Sequence, residues 1–111
     1  MYNNRVGFDD EVKMNKFARN KMINESQKEI MQIVQEESAE VIQAISKVFR
    51  FGMESEHNGV TNREHLETEI GDVLCMINLM YEQGLIDWSA VQLAQVAKRE
   101  KLQKWSKIKL S

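Results

Sequence analysis

Proline is absent from this 111-residue chain, glycine occurs five times and cysteine once. Without proline, and with so little glycine, long uninterrupted helices are favoured over many short strands and turns. The single thiol, Cys75, has no partner for a disulfide within the chain. It sits inside the apolar run VLCMINLMY and reads as a small core hydrophobe in a reducing, cytoplasmic compartment. No apolar run approaches the roughly 18 residues that a membrane span needs. The N-terminal MYNNRVGFDDEVK also lacks the apolar stretch of a secretion signal. Formal net charge is -2, with no block of like charge. That balance argues against a dedicated binder of nucleic acid polymers or of an acidic membrane surface.

What remains is an ordinary globular balance, 42% hydrophobic and 29% charged. The length suits one domain spanning residues 1–111. Residues 1–24 form a looser segment, in which DDEVKMNKFARNKMI has the makings of a short helix packing Val12, Phe17 and Ile23. Ser26, followed three positions later by Glu29, offers a capping box that opens a helix over 26–51. Ile30, Ile33, Val34, Val41, Ala44, Ile45 and Val48 follow at helical spacing, and Gly52 supplies the stop. GMESEHNGV reads as a loop between Gly52 and Gly59. Thr61 and Glu64 make a second capping box for a helix over 62–84, and Asp87 caps a third helix over 87–106. That last helix ends rich in lysine, which suits the negative end of the helix dipole. The expected architecture is all-α, a helical bundle with short connections.

Acid lies where apolar side chains are expected. With successive residues about 100° apart, Ile30, Val34, Val41, Ala44, Ile45 and Val48 share one face, Glu37 falls near its middle and Glu40 at its edge. Glu36 points further towards water. On the next helix Leu66, Ile70, Val73, Ile77 and Met80 define a stripe, with Glu69 inside one margin and Asp72 just beyond it. An unpaired carboxylate taken out of water costs several kcal/mol even after relaxation, and four sharing one pocket also repel one another. Too few cations face inwards to neutralise them, so a bound divalent metal is the economical solution. Carboxylates without histidine or thiolate select a hard ion, Mg²⁺ or Mn²⁺, and such sites serve phosphate chemistry. The competing reading is that these acids are solvated helix residues.

The pattern Glu36-Glu37-Ser-Ala-Glu40, followed by Glu69-Ile-Gly-Asp72, resembles the EExxE…ExxD signature of the all-α nucleoside triphosphate pyrophosphohydrolases. The MazG-like group is the most similar, with dimeric dUTPases more distant, and the resemblance covers roughly residues 26–105. It implies that Glu37, Glu40, Glu69 and Asp72 coordinate Mg²⁺, with Mn²⁺ able to substitute. Glu36 then helps to bind a further metal or to orient the attacking water, so that Glu36 and Glu37 are the catalytic candidates. The implied reaction cleaves a (deoxy)nucleoside triphosphate between the α and β phosphates, releasing the monophosphate and pyrophosphate, in an enzyme that is a dimer or tetramer. Gly71 fits a close approach of two helices. The gap between the two acidic halves is long for the family because of GMESEHNGV.

Other residues carry weaker signals. Lys47 lies two turns beyond Glu40 on nearly the same side and suits a distal phosphate; Arg50 and Lys98 are further cationic candidates. Asn78 suits either the nucleotide's base or sugar, or pairing across a subunit interface. VLCMINLMY is apolar around almost its whole circumference, so a second copy of the chain is the expected cover, completing a four-helix-type core. Trp88 and Trp105 read as core on the third helix, and His65 as solvated in a first helical turn. Glu54 and His57 form one ExxH pair, whereas di-iron bundles need two. The rival to the enzyme is a non-catalytic helical oligomerisation module with a degenerate acidic pocket.

Overall fold

A computed structural model describes residues 22–110. About 74% of the described chain is helical, in three helices and one small hairpin: α1 (Glu25–Phe51), β1 (Glu56–His57), β2 (Val60–Thr61), α2 (Asn62–Glu82) and α3 (Trp88–Trp105). The fold is all-α, as the sequence leads one to expect. Most of the proposed N-terminal helix, with Val12 and Phe17, lies outside the described residues; Ile23, within them, is partly exposed.

Local chemistry sets the helix ends. The cap of α1 is Asn24, not Ser26: its side chain accepts from the Gln27 amide at 2.7 Å, and the Gln27 side chain accepts from the Asn24 amide at 3.0 Å. This box overlaps the Ser26–Glu29 alternative and starts the helix slightly earlier. It prevails with help from the far end of α2, because the Gln27 side-chain Nε2 donates to the Gln83 carbonyl at 2.9 Å. Gly52 ends α1 at φ 93°, a conformation that side chains resist. Thr61 caps α2 in a reciprocal box with Glu64, and Asp87 caps α3 through the Ser89 amide, both as expected. The second helix stops at Glu82 rather than running to Gly84, which turns at φ 74°.

The segment read as a loop is a β-hairpin. Glu56 pairs with Thr61 and His57 with Val60, antiparallel. The connecting Asn58 and Gly59 both have positive φ, 55° and 80°, the geometry an Asn-Gly two-residue turn favours. Further bonds hold the segment to the helices. The Asn62 amide side chain, buried, donates to the Gly52 carbonyl at 2.8 Å, the Asn62 backbone donates to Ser55 at 3.0 Å, and Arg63 pairs with Glu54. Glu54 is therefore committed to an arginine rather than to the ExxH pair.

Helices α1 and α2 fold back on each other as an antiparallel pair, joined at one end by Asn62–Gly52 and at the other by Gln27–Gln83. Their seam is the core. Ile30 and Ala44 are buried, and Val34, Val41, Val48, Leu66, Val73, Ile77 and Met80 are half-buried. Ile45 and Ile70, placed on the same stripes, lie at the open edge and are exposed. Cys75 is also exposed, contrary to its reading as a core residue. Gly71 marks no close approach: a Cβ added there would meet nothing within 4 Å. Both differences have one cause: among the described residues, this apolar helix is covered on one side only. No residue of α3 is buried, and Leu93 (71%), Val96 (56%) and Trp105 (81%) are open to solvent. Trp88 packs better, its ring 6.0 Å from that of Tyr81.

Candidate metal centre

The two halves of the acidic pattern meet across the α1–α2 seam. Glu37 from α1 and Glu69 and Asp72 from α2 each bring a carboxylate oxygen to within 4.8 Å of the others. Geometry explains the convergence. Glu37 sits mid-seam on α1, between the half-buried Val34 and Val41. Glu69 and Asp72 are three apart, so both project from one side of α2. Glu37 and Glu69 are half-buried and Asp72 is exposed, so the cluster opens to solvent on the Asp72 side.

The electrostatics are those of crowded negative charge. Partial burial pushes the Glu37 carboxyl above its ordinary 4.5, and Asp72, Glu69, Glu40 and Glu36 all push it the same way. Among the described residues, Glu69 is in addition 3.6 Å from His65 Nε2, one turn earlier on α2. His65 lies in the first turn of α2 as expected, its side chain 34% exposed. Its spacing of four residues before Glu69 was the available signal, but an i,i+4 pair on a first helical turn is ordinarily a surface feature.

The other sequence-derived candidates fall in different places. Glu40 is exposed and stands outside the three-carboxylate cluster, yet near enough to act on Glu37; Glu36 is exposed as its angular position implies. Lys47 is half-buried on α1, ten residues beyond Glu37, and lines a cleft against the hairpin. Arg50 is exposed in the last turn of α1, its guanidinium 5.1 Å from the centre of the Phe51 ring. Asn78 is exposed on α2, and Lys98 is exposed on α3, which packs little on the other helices.

Three carboxylates from two helices form an all-oxygen donor set, the kind that suits Mg²⁺ or Mn²⁺ and leaves room for water and phosphate. The fold and the cluster together define a class: a helical protein with an acidic centre built between antiparallel helices. The model of the MazG nucleotide pyrophosphohydrolase domain matches residues 25–107, and the chain belongs to that family. The family is one of nucleoside triphosphate hydrolases, generally dependent on a divalent metal. No curated protein and no solved structure matched the chain. Among the described residues no helix is long and apolar enough to cross a membrane.

Proposed function

We propose that the protein is a Mg²⁺-dependent nucleoside triphosphate pyrophosphohydrolase that converts a (deoxy)nucleoside triphosphate to the monophosphate and pyrophosphate. The observation that carries the reading is the meeting of Glu37, Glu69 and Asp72 across the helix seam, in a chain of the MazG family. Three acids placed so close, one of them resisting ionisation, make a poor structural device and a good cation site.

In this reading Glu37, Glu69 and Asp72 hold the metal, and Glu40, at the margin, joins them or takes a second ion. Mg²⁺, when bound, supplies charge neutralisation at the phosphate oxygens and lowers the pKa of a coordinated water. Glu36, exposed one residue before Glu37, accepts the proton of the attacking water and fixes its direction. His65, 3.6 Å from Glu69, stands where a partner of that ligating carboxylate is needed. The exposed apolar faces of α2 and α3, with Leu74, Leu93, Val96 and Trp105 in the open, support a homo-oligomer as the working form. Asn78 then lies at or near that interface, and Lys98 reaches a site only if a neighbouring copy brings it there. The proposed setting is the cytoplasm.

The test is pyrophosphate release over a panel of canonical and modified ribo- and deoxynucleoside triphosphates, with Mg²⁺ and with EDTA. Metal-dependent turnover of at least one nucleotide is expected, with Mn²⁺ able to replace Mg²⁺. Silence across the panel favours the non-catalytic oligomerisation module instead.

A further inference from the structure

The hairpin that lengthens the gap between the acidic halves also builds a cleft. It has a volume of about 650 Å³ and lies between the end of α1, the hairpin and the start of α2. Its lining is mostly apolar, with Phe51 and Val60 as the large apolar side chains. Around them stand short polar groups on the hairpin, His57 and Asn58 among them. The charges nearly cancel, Lys47 on the helix wall against Glu56 on the hairpin. A near-neutral, largely apolar cleft with a few convergent hydrogen-bonding groups is the setting for an uncharged ring rather than for pyrophosphate.

Phe51 is placed to stack. The Arg50 guanidinium covers its ring at 5.1 Å, yet the side chain remains 61% exposed. An aromatic ring held by arginine and left open is a platform on which a base can lie. The platform is fixed from behind by the buried Asn62, whose bond to Gly52 ties the end of α1 to the start of α2.

The cleft also sits at a useful distance from the acids. His65 lines it and at the same time touches Glu69. Along α2, the four residues from Glu69 to His65 rise about 6 Å and the seven to Asn62 about 10 Å. That interval is spanned by a ribose between a phosphate at the acids and a base at the hairpin.

We infer that the hairpin cleft receives the nucleobase of the substrate, stacked on Phe51, and that the hairpin side chains His57 and Asn58 read its edge. The inference rests on the proposed reaction but is separable from it. Phe51 and Val60 are already exposed, 61% and 46%, so their truncation leaves the fold intact.

The first experiment compares the wild-type protein with Phe51→Ala and His57→Ala over the nucleotide panel. Loss of a stacked base raises KM on the order of tenfold or more, with a smaller fall in kcat. His57→Ala changes the order of preference among bases while turnover persists. The second experiment follows backbone amide resonances in the wild-type protein on addition of an uncharged nucleoside or of inorganic pyrophosphate. The nucleoside shifts Asn58, Gly59 and Phe51, and pyrophosphate with Mg²⁺ shifts the residues around Glu69 instead. Unchanged KM and unchanged base preference in both variants overturn the assignment, as do hairpin resonances that answer only to pyrophosphate. A change in sedimentation without a change in KM also overturns it, because the cleft is then a subunit contact. A wild-type protein that hydrolyses nothing removes the proposed reaction alone, and the resonance experiment still decides whether the cleft takes a base.

Discussion

Glu37→Gln is expected to lower kcat/KM for pyrophosphate release about a thousandfold, and Asp72→Asn by a comparable factor. The size follows from what each side chain does. Removing one preorganised group aimed at the charge of a transition state commonly costs a hundred- to a thousandfold, and a metal ligand acts on every charged oxygen at once. Glu37 is the one member of the three-carboxylate cluster contributed by α1, so its amide variant leaves α1 with only the marginal Glu40. Glu40→Gln, outside the cluster, is expected to cost less. Turnover that survives unreduced in both Glu37→Gln and Asp72→Asn removes the cluster from the mechanism. The assay is initial-rate pyrophosphate release at several Mg²⁺ concentrations, because excess metal rescues a weakened site and does not rescue a missing catalytic group.

The second large effect is on stability, and it runs in opposite directions with and without metal. A divalent ion present at a hundredfold excess over its Kd stabilises the native state by roughly 3 kcal/mol. For a chain of this size that corresponds to a rise in Tm of about 10 °C or more. Glu37→Gln is expected to lose that rise. In EDTA the same variant is expected to melt above the wild type, since the amide ends both the burial of charge and the repulsion from Asp72, Glu69, Glu40 and Glu36. The pH dependence has a definite sign. The Glu37 carboxyl in the folded protein titrates above its ordinary 4.5, so the native state holds more protons than the unfolded chain in the interval between them. Its contribution to stability is full below about 4.5 and is lost as pH rises through the raised value. The advantage of Glu37→Gln in EDTA should therefore widen on going from pH 4 to pH 8. Thermal melts of the two proteins at four pH values, with and without Mg²⁺, give the whole pattern. Equal melting in EDTA at every pH contradicts it.

Much of the fold was legible because its signals are local. Gly52, the Thr61–Glu64 box and Asp87 act within one turn of chain, and each ends or starts a helix where the sequence places it. The cap of α1 is not legible locally because two overlapping boxes compete there, and the deciding bond, from the Gln27 side chain to Gln83, joins residues 56 apart. Asn58-Gly59 carried the hairpin signal, but strands of two residues each have no alternation to detect. Cys75, in an apolar run, and Gly71, suited to a close approach of helices, both depend on what lies across from α2, and among the described residues nothing covers either. At the site, the angular position of Glu37 and the spacing of Glu69 and Asp72 were readable from helical periodicity. That Asp72 opens to solvent while Glu40 stands apart was not, because it depends on the rotation of one helix against the other. The part played by His65 was hidden for the same reason.

The claim beneath these expectations is that a divalent cation sits between α1 and α2, held by side chains from both. The most direct measurement is anomalous diffraction from crystals of the protein grown with Mn²⁺. A strong peak, with oxygens of Glu37, Glu69 and Asp72 each about 2.2 Å away, is the predicted result. Density at no more than one of the three carboxylates, with Glu37 turned out to solvent, contradicts it.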